Sequence, residues 1–368
     1  MKSLVRPELP TASVGSSQAT IDAVDNSAPS VNRPEQSTYK SGKAVQTNRA
    51  TSTHMPQIFI TTTAVNTRNY PWALSNYLRV MKAAELSTDR RYQLSRYPSS
   101  ADILLFVEPR FEFQSDILAS PLYRVHSGKS VVLDFLDNPK PVLPGLYVGI
   151  TQAQTCGGIF QGNAYIRIAA NRLLEDNLNF PYEPDLLFSF IGNVANAYRI
   201  RSSVLRLQHP RARVIDRNSH QSESDIDYVQ TLLRSKFVLC PRGIGPSSWR
   251  LFETMRVGRV PVVISDEWVP PPGIDWHSFV VRVLESEVHE IPALLLSLEP
   301  EWAERGRRAR QIWESNLSYQ RLFGWIGERC TEVLEISRKE GYRASMSRQF
   351  ARTDSFCSAA RLMRELFK

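Results

Sequence analysis

Long apolar runs are missing from this 368-residue chain: none approaches the roughly 18 residues a membrane-spanning helix needs, and the N-terminus lacks the apolar segment of a secretory signal. A membrane span is thereby excluded, and a cytoplasmic location is the expectation. Cysteine is scarce as well. The four residues Cys156, Cys240, Cys330 and Cys357 form no CxxC pair and have no histidine at zinc-finger spacing, which argues against a disulfide framework or a structural metal site. The six histidines show no paired spacing, and there is no short internal repeat. Charge of one sign is also absent from the body. The formal net charge is +8, yet residues 1–55 hold six basic against four acidic residues, residues 338–368 eight against three, and the segment between 31 against 30. The excess therefore belongs to the tails. With no platform of interleaved aromatic and basic residues either, nucleic acid is not the expected partner.

What is present is a globular body, with 42% hydrophobic and 10% aromatic residues and a length sufficient for two domains. Residues 1–55 are rich in Ser, Thr, Gln, Asn, Pro and Ala, too poor in large apolar residues to offset the entropy of ordering, and a disordered tail is expected there. Strand-like runs follow at 57–62, 101–107 and 130–135, with a helical pattern from about Pro71 that places Leu74, Leu78 and Met81 on one face. Short runs apolar on both faces, alternating with helices, imply a parallel sheet covered on both sides. This defines a first α/β domain over 56–183. After the linker-like segment at 180–185 the alternation restarts, with strands at 187–191, 212–216, 237–240, 260–264 and 279–283 and helices at about 226–235 and 248–257. A second α/β domain over 184–337 and a basic helical tail over 338–368 complete the expected plan. The fold class is α/β, with two Rossmann-like domains facing across a cleft, since such sheets bind ligands beyond the carboxyl ends of their strands.

The strongest local pattern runs from Ser235 to Asp266: a strand, the turn Pro241-Arg242-Gly243-Ile244-Gly245-Pro246, and a helix whose first turn exposes free N–H groups, an anion site by construction. Ser247 or Ser248 can cap that helix, and Arg242 and Arg250 can supply charge-assisted hydrogen bonds to a diphosphate. Glu253 shares a helix face with Arg250 and suits ribose hydroxyls. The competing explanation is an ordinary strand–turn–helix carrying a surface ion pair.

The run SKF-x-LCPRG-x-G-x-SS-x-RLFE-x-M-x-x-G-x-x-PVVISD-x-W resembles the exostosin glycosyltransferases over roughly 186–285, together with Phe190-Ile191-Gly192-Asn193 and Arg201. The resemblance implies the GT-B fold, a nucleoside-diphosphate sugar donor, often UDP-linked, and transfer that is metal-independent and inverting. It implies no cofactor beyond that co-substrate, and a saccharide or lipid-linked acceptor. Gly192, Arg201, Arg242, Gly243, Ser248, Arg250, Glu253 and Asp266 fall on its motif positions. A non-catalytic nucleotide-sugar-binding or scaffold protein of the same fold is the alternative.

Inverting transfer needs a base facing the donor. Asp134 and Asp137 follow a first-domain strand and Glu108 ends another, so these carboxylates are the candidates. Asp225-Ile226-Asp227 resembles a metal clamp, but acids at a helix start also cap N–H groups and meet the helix dipole. His277 is expected in a loop at the edge of the donor site. An apolar stripe at 356–367, opposite Arg361, Arg364 and Lys368, suits either a peripheral membrane contact or packing back on the protein.

Overall fold

The computed structural model describes residues 54–63, 71–107, 114–166, 173–174, 183–217 and 225–340. The tail expected at 1–55 (save its last two residues), Glu108 and the helix expected at 356–367 lie outside the described residues.

Two parallel sheets form the body. The first runs β2-β1-β3-β4-β5-β6, built from β1 (Gln57–Thr61), β2 (Gln93–Leu94), β3 (Ile103–Val107), β4 (Ser130–Asp134), β5 (Gly145–Tyr147) and β6 (Phe160–Gly162). The second runs β11-β10-β9-β7-β8, from β7 (Leu186–Gly192), β8 (Ala212–Asp216), β9 (Ser235–Pro241), β10 (Val260–Ile264) and β11 (Val281–Val283). Every residue of β3, β4 and β10 is buried, as strands covered on both faces require. The doubly wound expectation therefore holds for both halves. The short strands β2, β5 and β6 carry too few residues for a periodicity to show, so none of them was expected.

Helices cover the sheets: α1 (Pro71–Glu85), α2 (Ser115–Ala119), α3 (Pro121–His126), α4 (Tyr198–Leu205), α5 (Asp225–Arg234), α6 (Trp249–Arg256), α7 (Ile291–Ser297), α8 (Trp302–Ile312) and α9 (Tyr319–Glu340). Two expectations need correction. In α1 two of the three residues expected inside are turned outward, Leu74 37% and Leu78 54% exposed, while the third, Met81, packs inward with Tyr77 and Ala84 beside the buried Val80 and Ala83. The cause is α9, which lies against α1 and the first sheet and draws inward the face that carries Tyr77, Val80 and Ala84. The second correction concerns α9 itself, expected within the 184–337 domain. Its buried Phe323, Trp325 and Ile326 join the core containing β1, β3 and β4, and its Thr331 hydroxyl meets that of Tyr92 at 2.9 Å. The chain thus crosses back to the first half before it ends. No helix among the described residues is long and apolar enough to cross a membrane.

Candidate functional site

In the second sheet the strand order reverses between β7 and β9: β8 lies to one side, and β10 and β11 to the other. Connections leaving the carboxyl ends of β7 and β9 must diverge, which opens a crevice. A cleft of about 800 Å³ lies there. One wall consists of Ile191, Gly192 and Asn193 at the end of β7, Gly243, Ile244 and Ser247 beyond β9, and Trp249, Arg250 and Glu253 of α6. The other wall comes from the first half, with Ser75, Asn76 and Arg79 of α1, Phe135 and Asp137 beyond β4, and Tyr165.

Arg250 sits at the centre, only 5% exposed. Its Nη2 donates to the Ile191 carbonyl at 2.6 Å, and its guanidinium lies 4.7 Å from the Phe190 ring centre and 5.9 Å from that of Tyr228. The remaining groups, Nε and Nη1, are buried and meet no acceptor, and the Ser247 hydroxyl is in the same state. Buried charged donors without acceptors are costly, so an anion entering the cleft would supply what the fold leaves out. Gly192 is a steric requirement here, because a Cβ would stand 2.8 Å from Arg250 Nη2.

Arg201 is also buried and links the two diverging loops, donating from Nε to the Arg242 carbonyl at 3.0 Å and from Nη1 to the Asn193 carbonyl. Burial, reinforced by the nearby Arg250 charge, pushes its pKa down to about 10. Two guanidiniums that repel one another are relieved by a shared anion. Gly243 lies against Arg201 Nη2. Glu253 accepts a hydrogen bond from the Tyr228 hydroxyl at 2.5 Å. Burial first, and Glu253 second, raise the Tyr228 phenol well above its ordinary value, so it stays a donor.

Four candidates, Arg242, Asp266, Ser248 and Asp134, are not brought into the cleft. Arg242 turns away and its Nε donates to Glu285 at 2.6 Å, while Asp266 accepts the Glu285 backbone N–H at 2.9 Å. Together these residues tie the ends of β9 and β10 to the turn after β11. A third guanidinium beside Arg201 and Arg250 would be repelled, whereas Glu285 offers Arg242 a partner. Ser248 holds the N-cap position of α6 with extended backbone, but its side chain makes no capping bond and does not line the cleft. Asp134 is fully buried, accepting the Leu136 N–H at 2.8 Å and facing the Gln114 amide at 3.4 Å. Burial raises its pKa to about 6. It braces the turn after β4 and has no path to an acceptor, so it is set aside as a base. Asp137 does line the cleft, is exposed, and is held by the Tyr165 hydroxyl at 2.6 Å.

Asp225 pairs with Arg217, and both line the cleft. Among the described residues no group of three or more His, Cys, Asp or Glu side chains is placed to hold a metal ion. His277 is an exposed residue of the turn Trp276–Ser278, outside the cleft lining. Tyr228, Tyr165, Trp249 and the α1 residues were not expected in the cleft, because nothing in local spacing reveals which distant elements meet Glu253, Asp137 or the cleft.

Residues 180–298 match the Exostosin GT47 domain. The match covers about a third of the chain. The chain is 42% identical over 91 residues to the Exostosin-1 homolog of Caenorhabditis elegans, an alignment covering 24% of this chain and 22% of that relative. Over 83 residues it is 37% identical to the probable beta-1,4-xylosyltransferase IRX10 of Arabidopsis thaliana, covering 22% of this chain and 20% of that protein. The chain thus spans about a fifth of the length of the curated relatives it matches. Among solved structures, Anabaena Alr3699/HepE in complex with UDP aligns with 76% of this chain and 100% of its own at 9% identity and a TM-score of 0.41. The matched residues supply the β7–β9 wall of the cleft. The wall bearing Asp137 lies outside the matched residues.

Proposed function

We propose that this protein is a glycosyltransferase that moves a hexosyl or pentosyl unit from a nucleoside-diphosphate sugar, UDP-linked, to a hydroxyl of a saccharide or glycolipid acceptor. One observation carries the reading: the buried Nε and Nη1 of Arg250 and the hydroxyl of Ser247 lack acceptors within a cleft at the strand-order reversal. A diphosphate satisfies all three and draws the Arg201 and Arg250 charges together. Glu253, held by Tyr228, takes the ribose hydroxyls. The exostosin domain over 180–298, and relatives named as an exostosin and a xylosyltransferase, support the same reading.

In the proposed reaction the acceptor oxygen attacks the anomeric carbon from the side opposite the diphosphate, with inversion. Asp137 takes the hydroxyl proton as the new bond forms. The bond from the anomeric carbon to the diphosphate breaks, and the negative charge left on the diphosphate is stabilised by Arg250, Arg201 and Ser247 without a cation. The test is release of nucleoside diphosphate from a panel of nucleotide sugars, with EDTA present. Turnover of at least one donor is expected. Binding without turnover of any donor makes the chain a nucleotide-sugar-binding protein instead, and activity that returns only on adding a divalent ion overturns the cation-free part.

A further inference from the structure

The cleft contains an aromatic side chain that the donor reading leaves without a task. Trp249, the first residue of α6, is 47% exposed, and Ile244 on the preceding turn is 66% exposed. Trp268, Trp276, Trp313 and Trp325 are buried and Trp302 is partly buried against the core, so among the described tryptophans Trp249 is the exposed one. Both Trp249 and Ile244 line the cleft.

Their position gives the occupant. Along α6 the helical rise puts Trp249 about 6 Å nearer the N-terminal end than Glu253, on a shared side of the helix. With the ribose at Glu253 and the diphosphate at Arg250 and Ser247, the nucleoside lies toward the helix interior, and whatever lies beyond the diphosphate meets Trp249. That is the sugar end. The same end abuts the candidate base: the loop carrying Ile244 packs so tightly on the first half that a Cβ at Gly245 would collide with the Asp137 carbonyl. A pyranose presents one face of C–H bonds and an edge of hydroxyls, which fits an indole face bordered by carboxylate and guanidinium groups.

We infer that Trp249, flanked by Ile244, is the stacking platform for a pyranose ring at the reacting end of the cleft, and so a determinant of which sugar is accepted. The inference rests on the nucleotide-sugar reading. The ring can belong to the donor or to the acceptor, and two sets of probes separate these sources: UDP-hexoses and UDP-xylose compared with UDP, and methyl pyranosides added to the UDP-saturated protein. Binding is measured by calorimetry and by tryptophan fluorescence on the full chain, for the parent, Trp249→Phe and Trp249→Leu.

The expected result is that at least one pyranose probe binds the parent and changes its fluorescence. That optical change should disappear in both variants, and the affinity of the probe should fall about 5- to 10-fold in Trp249→Leu and less in Trp249→Phe. UDP itself should bind all three proteins within about twofold, which also shows that the variants fold. Equal pyranose binding by the parent and Trp249→Leu, or no pyranose binding by a parent that binds UDP, overturns the inference alone. An equal loss for UDP and for the sugar-bearing probes would assign Trp249 to the nucleotide instead. A parent that binds no UDP removes the donor reading and this inference with it.

Discussion

The two aspartates at and just beyond the end of β4, Asp134 and Asp137, have opposite roles, and exchanging each for asparagine separates them. Asp134 is fully buried and its pKa is raised from 3.8 to about 6. A carboxyl whose folded pKa lies above its unfolded value stabilises the fold only while protonated. That stability is complete below about pH 4, is lost as the pH rises to about 6, and stays lost above. A shift of about two units corresponds to a penalty on the order of 3 kcal/mol at neutral pH. Asp134→Asn carries no such charge and still offers an acceptor to the Leu136 N–H, although Gln114 must rotate its amide to avoid facing a second donor. In denaturant titrations at pH 4 and pH 7, the variant should gain on the parent by up to that amount at the higher pH. Its turnover should stay within about threefold of the parent. Asp137→Asn should do the reverse, leaving stability and UDP affinity almost unchanged while turnover falls by about 10²- to 10⁴-fold. A pH-independent difference between Asp134→Asn and the parent, or a larger loss of turnover at position 134 than at 137, refutes this division of roles.

Arg242→Ala should lower stability by about 0.5–1 kcal/mol, because its ion pair with Glu285 is partly exposed, and should leave UDP affinity within about threefold of the parent. A loss of UDP binding as large as that at Arg250 would return Arg242 to the cleft. Glu253→Gln should weaken UDP and uridine alike by about tenfold, in line with loss of charge-assisted bonds, and leave pyrophosphate binding untouched. Weakening confined to pyrophosphate would contradict the ribose assignment.

The strand and helix alternation was legible because runs such as Leu104-Leu105-Phe106 and Val262-Val263-Ile264 are buried on both faces and bounded by turns. The orientation of α1 was not. Leu74 and Leu78 form a plausible inner face, and only the arrival of α9 from more than two hundred residues away decides otherwise. At the site, Arg250 and Ser247 were readable from the strand–turn–helix geometry, since the end of a parallel strand fixes where the next helix begins. Arg242 belongs to the same motif, yet its direction depends on Glu285, which lies forty-three residues on. The distinction between Asp134 and Asp137 is similarly nonlocal. Three positions apart in sequence, one is sealed beneath Gln114 and the other opens beside Tyr165.

The proposed function depends most directly on a diphosphate resting on Arg250. Calorimetric titration of UDP and uridine into the parent and Arg250→Lys measures this. Lysine keeps the charge but loses the planar fork and one of the two unsatisfied N–H groups, each worth about 1.5–3 kcal/mol to an anion. UDP should therefore bind the variant about 10- to 100-fold more weakly, with uridine unchanged within about twofold. A folded Arg250→Lys protein that binds UDP as tightly as the parent would contradict the account.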